Sequence, residues 1–190
     1  MRTLRALLVV IAVLLGASPA LADKYSDTVD LFKNAGQSSS FFHRSYGYAV
    51  FPTIGKAGFV VGGAYGEGRV YEHGTPVGDT SMTQLSVGFQ LGGEGYTQIV
   101  FFEDKRAFDE FTSGNFEFGA NVGAIVITAA ASGSAATSGA TGSASAGKKD
   151  AKTAGEYHKG MAVFIIAKGG LMYEASVSGQ KFSYKPLGKK

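Results

Sequence analysis

The chain has 190 residues, no cysteine, no tryptophan, 45% hydrophobic residues and a formal net charge of +3. Without cysteine, disulfide staples, thiolate metal sites, a cysteine nucleophile and a lipid anchor on an N-terminal cysteine are all excluded. The fold must hold by packing alone.

The first 22 residues read as an export leader. Arg2 and Arg5 supply a basic start, residues 6–16 an apolar run, and Ala20-Leu21-Ala22 a small-x-small cleavage pattern. The run falls short of the ~20 residues that span a bilayer, so a cleaved leader is expected over an uncleaved anchor. Cleavage after Ala22 leaves 168 residues (190 minus 22), enough for one domain over 23–190. The expected location is periplasmic or secreted. Charge is uneven: residues 23–147 carry 7 basic and 12 acidic side chains, residues 148–190 carry 9 basic and 3 acidic. A basic C-terminal quarter suits an anionic surface such as lipid head groups, or else forms a solvated lysine tail. Export argues against nucleic acid.

Tyr25, Val29 and Phe32 share one helical face, and Gly36 marks a stop. Ser39 or Ser40 is expected to cap a second short helix carrying Phe41, Phe42 and Tyr46. Both aromatic faces either dock on a sheet or meet a membrane. Strands are expected at 48–53 and 57–64 around a turn at 52–56, then at 68–72, ending at His73-Gly74. Pro76 and Gly78 punctuate the next connection. Residues 82–91 alternate, with Leu85, Val87, Phe89 and Leu91 on the side predicted to be buried. A strand at 96–102 precedes a helix at 104–113 capped by Asp104, with Ala107, Phe108 and Phe111 as its buried stripe. Strand character returns over 115–128. The Ser/Ala/Gly-rich stretch 132–149 reads as a flexible loop. Strands resume at 160–167 and 170–178, and a tail runs through Phe182 and Tyr184 to Pro186.

The glycine-rich segment 48–71 fails as a nucleotide site. Lys56 lacks a following Ser or Thr, Val50 stands where a phosphate loop needs its first glycine, and the later glycines lead into strand. His43, His73 and His158 are scattered with no metal-ligand spacing, and no G-x-S-x-G elbow occurs. No catalytic residue, cofactor or metal site is expected. Lys56 stands out in an apolar, glycine-rich frame, where a lysine offers a point charge to phosphate; the alternative is a surface turn lysine. Arg69 is either a second phosphate contact or a strand-edge shield.

The segments AVFPTIGKAGFVVGGAYGEGRVYEHG (49–74), SVGFQLGGEGYTQIVFF (86–102) and FTSGNFEFGANVGAI (111–125) resemble, in that order, the SYLF lipid-binding domain family. The first block, FP-x-x-GK-x-G followed by GG-x-x-G-x-G-x-V-Y, is the most specific. The resemblance implies a compact β-rich domain that binds lipid, with phosphoinositides or other anionic head groups as ligands of eukaryotic members. It places Lys56 at the family's lysine and the 24–46 helices at its N-terminal amphipathic segment. Actin, bound by an intracellular branch of the family, is not an expected partner of an exported chain.

The expected fold is α+β, mainly antiparallel: a curved or barrel-like sheet with short N-terminal helices and one helix near 104–113. The expected function is non-catalytic binding of phospholipid or a membrane surface in the cell envelope. Lys56, with Arg44 or Arg69, would meet phosphate, while Phe41 and Phe42 would meet acyl chains or the interface. Two other readings are a small outer-membrane barrel and an envelope stress or structural protein that binds another protein. Intact-mass analysis of the chain recovered from an expressing bacterium should show a mature start at Asp23; retention of residues 1–22 would contradict the leader.

Overall fold

The computed structural model describes residues 20–58, 61–87, 95–119, 125–128, 157–168 and 177–188. Most of the leader, the 132–149 loop, the far end of the 82–91 alternation and nearly all of the 170–178 strand lie outside these residues. Helix α1 (Ala20–Lys33) leads into a 3-10 helix, η1 (Gly36–His43). Then come β1 (Gly47–Gly58), β2 (Val61–Glu72), β3 (Thr75–Val87), β4 (Gly95–Phe102) and α2 (Lys105–Thr112). The remaining strands are β5 (Phe116–Glu117), β6 (Ile125–Thr128), β7 (Met161–Lys168) and β8 (Lys181–Pro186). Asp104 caps α2, its Oδ1 accepting from the Ala107 N–H at 2.8 Å.

Among the described residues, eight strands form one sheet in the order β5-β8-β3-β2-β1-β4-β7-β6, antiparallel except for the β6–β7 pair. The sheet has to curl. Its two edge strands, β5 and β6, are neighbours in the chain, with only residues 118–124 between them. Seven inter-strand steps of about 4.8 Å would set the edges of a flat sheet roughly 34 Å apart. The steps from Glu117 to Ile125 reach at most ~28 Å. The result is a curled half-barrel.

Each face carries its own apolar cluster. The concave one joins Phe51, Ile54, Met82, Tyr96, Val100, Phe102, Val163 and Phe182 with Phe108 and Phe111 of α2. Contacts cross the concavity, as between Phe51 on β1 and Phe182 on β8, with ring centroids 5.7 Å apart. The outer cluster packs Tyr25, Val29, Phe32 and Phe41 of the N-terminal helices on Val50, Ile99, Phe101 and Phe164. Alternate residues of β4 and β7 therefore serve both clusters, which is why these strands read as near-continuous apolar runs.

The N-terminal reading is confirmed in α1, where Tyr25, Val29 and Phe32 are buried. Several expectations need correction. Ser39 and Ser40 do not cap η1: the helix starts at Gly36, and their hydroxyls donate back to the carbonyls of Gly36 and Gln37. Tyr46 lies beyond η1 and packs with the concave cluster. Residues 52–56 are not a turn but the middle of β1, interrupted by a bulge between Val50 and Thr53. Pro52, with no N–H to give a ladder, suits that place. Pro76 and Gly78 lie inside β3. Leu85 is 86% exposed while Met82 is fully buried, so this strand is right but its faces are exchanged. Residues 115–128 do not form one strand; they give β5 and β6 on opposite edges. The supposed tail is strand β8, paired with β3 and β5.

The outer face of β2, β3 and β8 bears Arg69, Asp79, Lys185 and Lys181, where a membrane barrel would present an apolar band. Among the described residues no helix is long and apolar enough to cross a membrane.

The glycines of β2 explain part of the curl. A Cβ on Gly68 would sit 2.6 Å from the Phe51 ring and 2.8 Å from the Val50 carbonyl. The hairpin after β2 turns at His73 (φ 48) and Gly74 (φ 80), the left-handed pair of a tight two-residue turn. Gly68→Ala should destabilise the domain by about 1–3 kcal/mol, read as a lower urea midpoint at unchanged slope; an unshifted midpoint would contradict the close approach.

Candidate functional site

Cross-strand partners share a face, so register places each cation proposed for phosphate. Lys56 pairs with Ala64, a member of the concave cluster, and its ammonium lies 5.2 Å from the Tyr96 ring centroid. It is neither a turn lysine nor an outer one. Arg69 pairs with Val50 on the outer face. It lies in an inner strand and does not shield an edge. Its Nε and Nη2 donate to Asp79 Oδ1 at 3.1 and 3.0 Å, and its guanidinium lies 4.5 Å from the Tyr25 ring centroid. Arg44 follows η1, exposed, 4.4 Å above the Phe41 ring. Lys56 thus occupies one face and the two arginines the other, so they do not form a single phosphate clamp.

The two phenylalanines differ. Phe41 is 1% exposed, packed against Phe101, Tyr157 and Phe164, and reaches neither solvent nor a membrane in this fold. Phe42 is half-buried, edge-on to Tyr48 and Phe101. Burial, with Tyr71 and Asp30 nearby, pushes the Tyr48 hydroxyl up to about 12.

Beneath Lys56 the concave core holds a polar group that the sequence reading did not single out. The Gln98 and Gln180 amides, both fully buried, bond each other at 2.9 and 3.1 Å, and Gln180 Nε2 also donates to Tyr96 Oη at 3.1 Å. Burial pushes the Tyr96 hydroxyl strongly upward, so it is neutral at physiological pH. Lys56 therefore lies over a neutral ring whose face attracts a cation. Gln98 left a readable trace, a polar residue at an inward position of an apolar strand. Gln180, in the turn before β8, left none. Among the described residues no group of three or more His, Asp or Glu side chains converges to hold a metal ion.

A family model described as "Ysc84: Las17-binding protein actin regulator" matches residues 83–186, more than half of the chain. The chain belongs to this family, the SYLF family. The matched stretch runs from the second half of β3 through β8, so the Lys56 strand precedes it. A curated SYLF relative, "Beta cell expansion factor A" of Aeromonas veronii, is 29% identical over 156 residues, 81% of this chain and 51% of its own length. The chain spans about half the length of that relative.

The buried glutamine pair has a measurable consequence. Gln180→Leu leaves the Gln98 amide without its partner and should cost about 1–3 kcal/mol in urea unfolding, with much of that recovered in the Gln98→Leu/Gln180→Leu double variant. Additive losses in the double variant would show that the two amides do not act as a pair.

Proposed function

We propose that this SYLF domain is a non-catalytic lipid-binding protein of the cell envelope, exported by its N-terminal leader, and that Lys56 meets an anionic head group. The observation that carries this reading is the position of Lys56. The β1 bulge turns it onto the concave face, over the Tyr96 ring, in a glycine-rich stretch of strand. An ammonium there offers a point charge to a phosphate. Membership of a family with lipid-binding members supports the same reading. The family's description concerns actin regulation; the leader directs this chain away from actin, which is not proposed as its partner.

Arg44 and Phe42 remain on the outer face as a secondary membrane contact, and Phe41 serves packing. Co-sedimentation with vesicles of phosphatidylglycerol and phosphatidylcholine, against phosphatidylcholine alone, tests the proposal. Binding should require the anionic lipid and weaken roughly fivefold in Lys56→Ala, the ~1 kcal/mol expected of one lysine near an anionic surface. Failure to bind anionic vesicles would favour a protein partner instead, and unchanged binding in Lys56→Ala would remove Lys56 from the site.

A further inference from the structure

Beside the N-terminal helices, the outer face of β2, β3 and β8 floors a groove of about 350 Å³, walled on one side by Lys24 and Tyr25 of α1. Register arranges its floor in rows across the strands. Arg69, Asp79 and Lys185 form one row, and Glu67, Ser81 and Ser183 the next. Tyr65 stands one row further along β2, 54% exposed, with its hydroxyl 3.4 Å from Glu67 Oε1. The rows lie about 7 Å apart, two residues of strand rise.

We propose that this groove binds a carbohydrate through the hydroxyls of a neutral or zwitterionic sugar. Three features carry the assignment. The polar groups are already held in place: Arg69 is fixed between Asp79 and the Tyr25 ring, and the Ser81 and Ser183 hydroxyls lie 2.7 Å apart. Donors and acceptors alternate, as a ligand covered in hydroxyl groups requires. Carboxylates accept, guanidinium and ammonium groups donate, and each serine does both. Both Arg69 bonds fall on Asp79 Oδ1, so Oδ2 stands outside that pair. Finally, Tyr65 offers an exposed flat ring against which the apolar C–H face of a sugar can stack.

The same lining argues against the ligand proposed for Lys56. Lys24, Arg69 and Lys185 are interleaved with Glu67 and Asp79, so a phosphate placed among the cations also meets carboxylates. An acyl chain would lie on a charged and hydroxylated floor. The groove is a separate site, on the opposite face of the sheet from Lys56.

Saturation-transfer NMR on the protein purified after expression of the full-length chain, with chitotetraose and maltotetraose as soluble probes, tests this site. Co-sedimentation with purified peptidoglycan sacculi supplies the polymer arm. Saturation of sugar ring protons, weakened about tenfold in Tyr65→Ala and in Ser81→Ala but unchanged in Lys56→Ala, is the expected result. Binding to sacculi alone, with the same dependence on Tyr65 and Ser81, assigns the site to a polymeric glycan. Three outcomes would overturn the proposal: no binding to any of these probes, binding indifferent to both groove variants, or displacement of the sugar by equimolar inorganic phosphate.

Discussion

The bulge in β1 is the constraint from which the layout of this domain follows. Before it, Tyr48 and Val50 point outward under α1 and η1; after it, Ile54 and Lys56 point into the concavity. All four positions are even-numbered, so an unbroken strand would put them on one face. The extra residue around Pro52 changes the parity once, against both β2 and β4. Without it Ile54 would leave the core, and Lys56 would lie among the outer-face charges instead of over Tyr96.

The second requirement is closure of the curl. Gly66 and Gly68 on β2 present bare backbone to Ile54 and Phe51, letting β1 and β2 bend together over bulky side chains. Phe182 and the Gln98–Gln180 pair then join β8 to strands on the far side of the concavity, and α2 packs Phe108 and Phe111 into the same cluster. An apolar pair could also fill that space. The amides add direction, since each bond forms only in one alignment of the two halves.

The two faces suit different chemistry because they are dressed differently. The concave side offers the Lys56 ammonium over the Tyr96 ring in a glycine-rich frame, consistent with a phosphate-bearing head group. The uncovered outer strip offers charges of both signs, hydroxyls and an exposed tyrosine, consistent with a sugar. The outer side of β1, β4 and β7 is taken up by α1 and η1, and there Phe41 contributes stability.

Much of the domain was legible in the chain itself. The buried stripe of α1, the Asp104 cap with Ala107, Phe108 and Phe111, the β4 run, the His73-Gly74 turn and the family membership all follow from local pattern, because each depends on neighbours within a few residues. Which face a strand buries was not legible. Local pattern puts Leu85 inside and Lys56 in a turn, but the parity of β1 changes at a bulge, and among the described residues nothing covers Leu85 on the outer face of β3. The sequence by itself determined α1, the capped α2, the β4 strand, a curved and mainly antiparallel sheet, and the family. Only the tertiary structure decided which side of the sheet Lys56 faces, that Arg69 and Arg44 lie away from it, and that Gln98 meets Gln180, because those relations arise from strand register and closure between residues far apart in the chain.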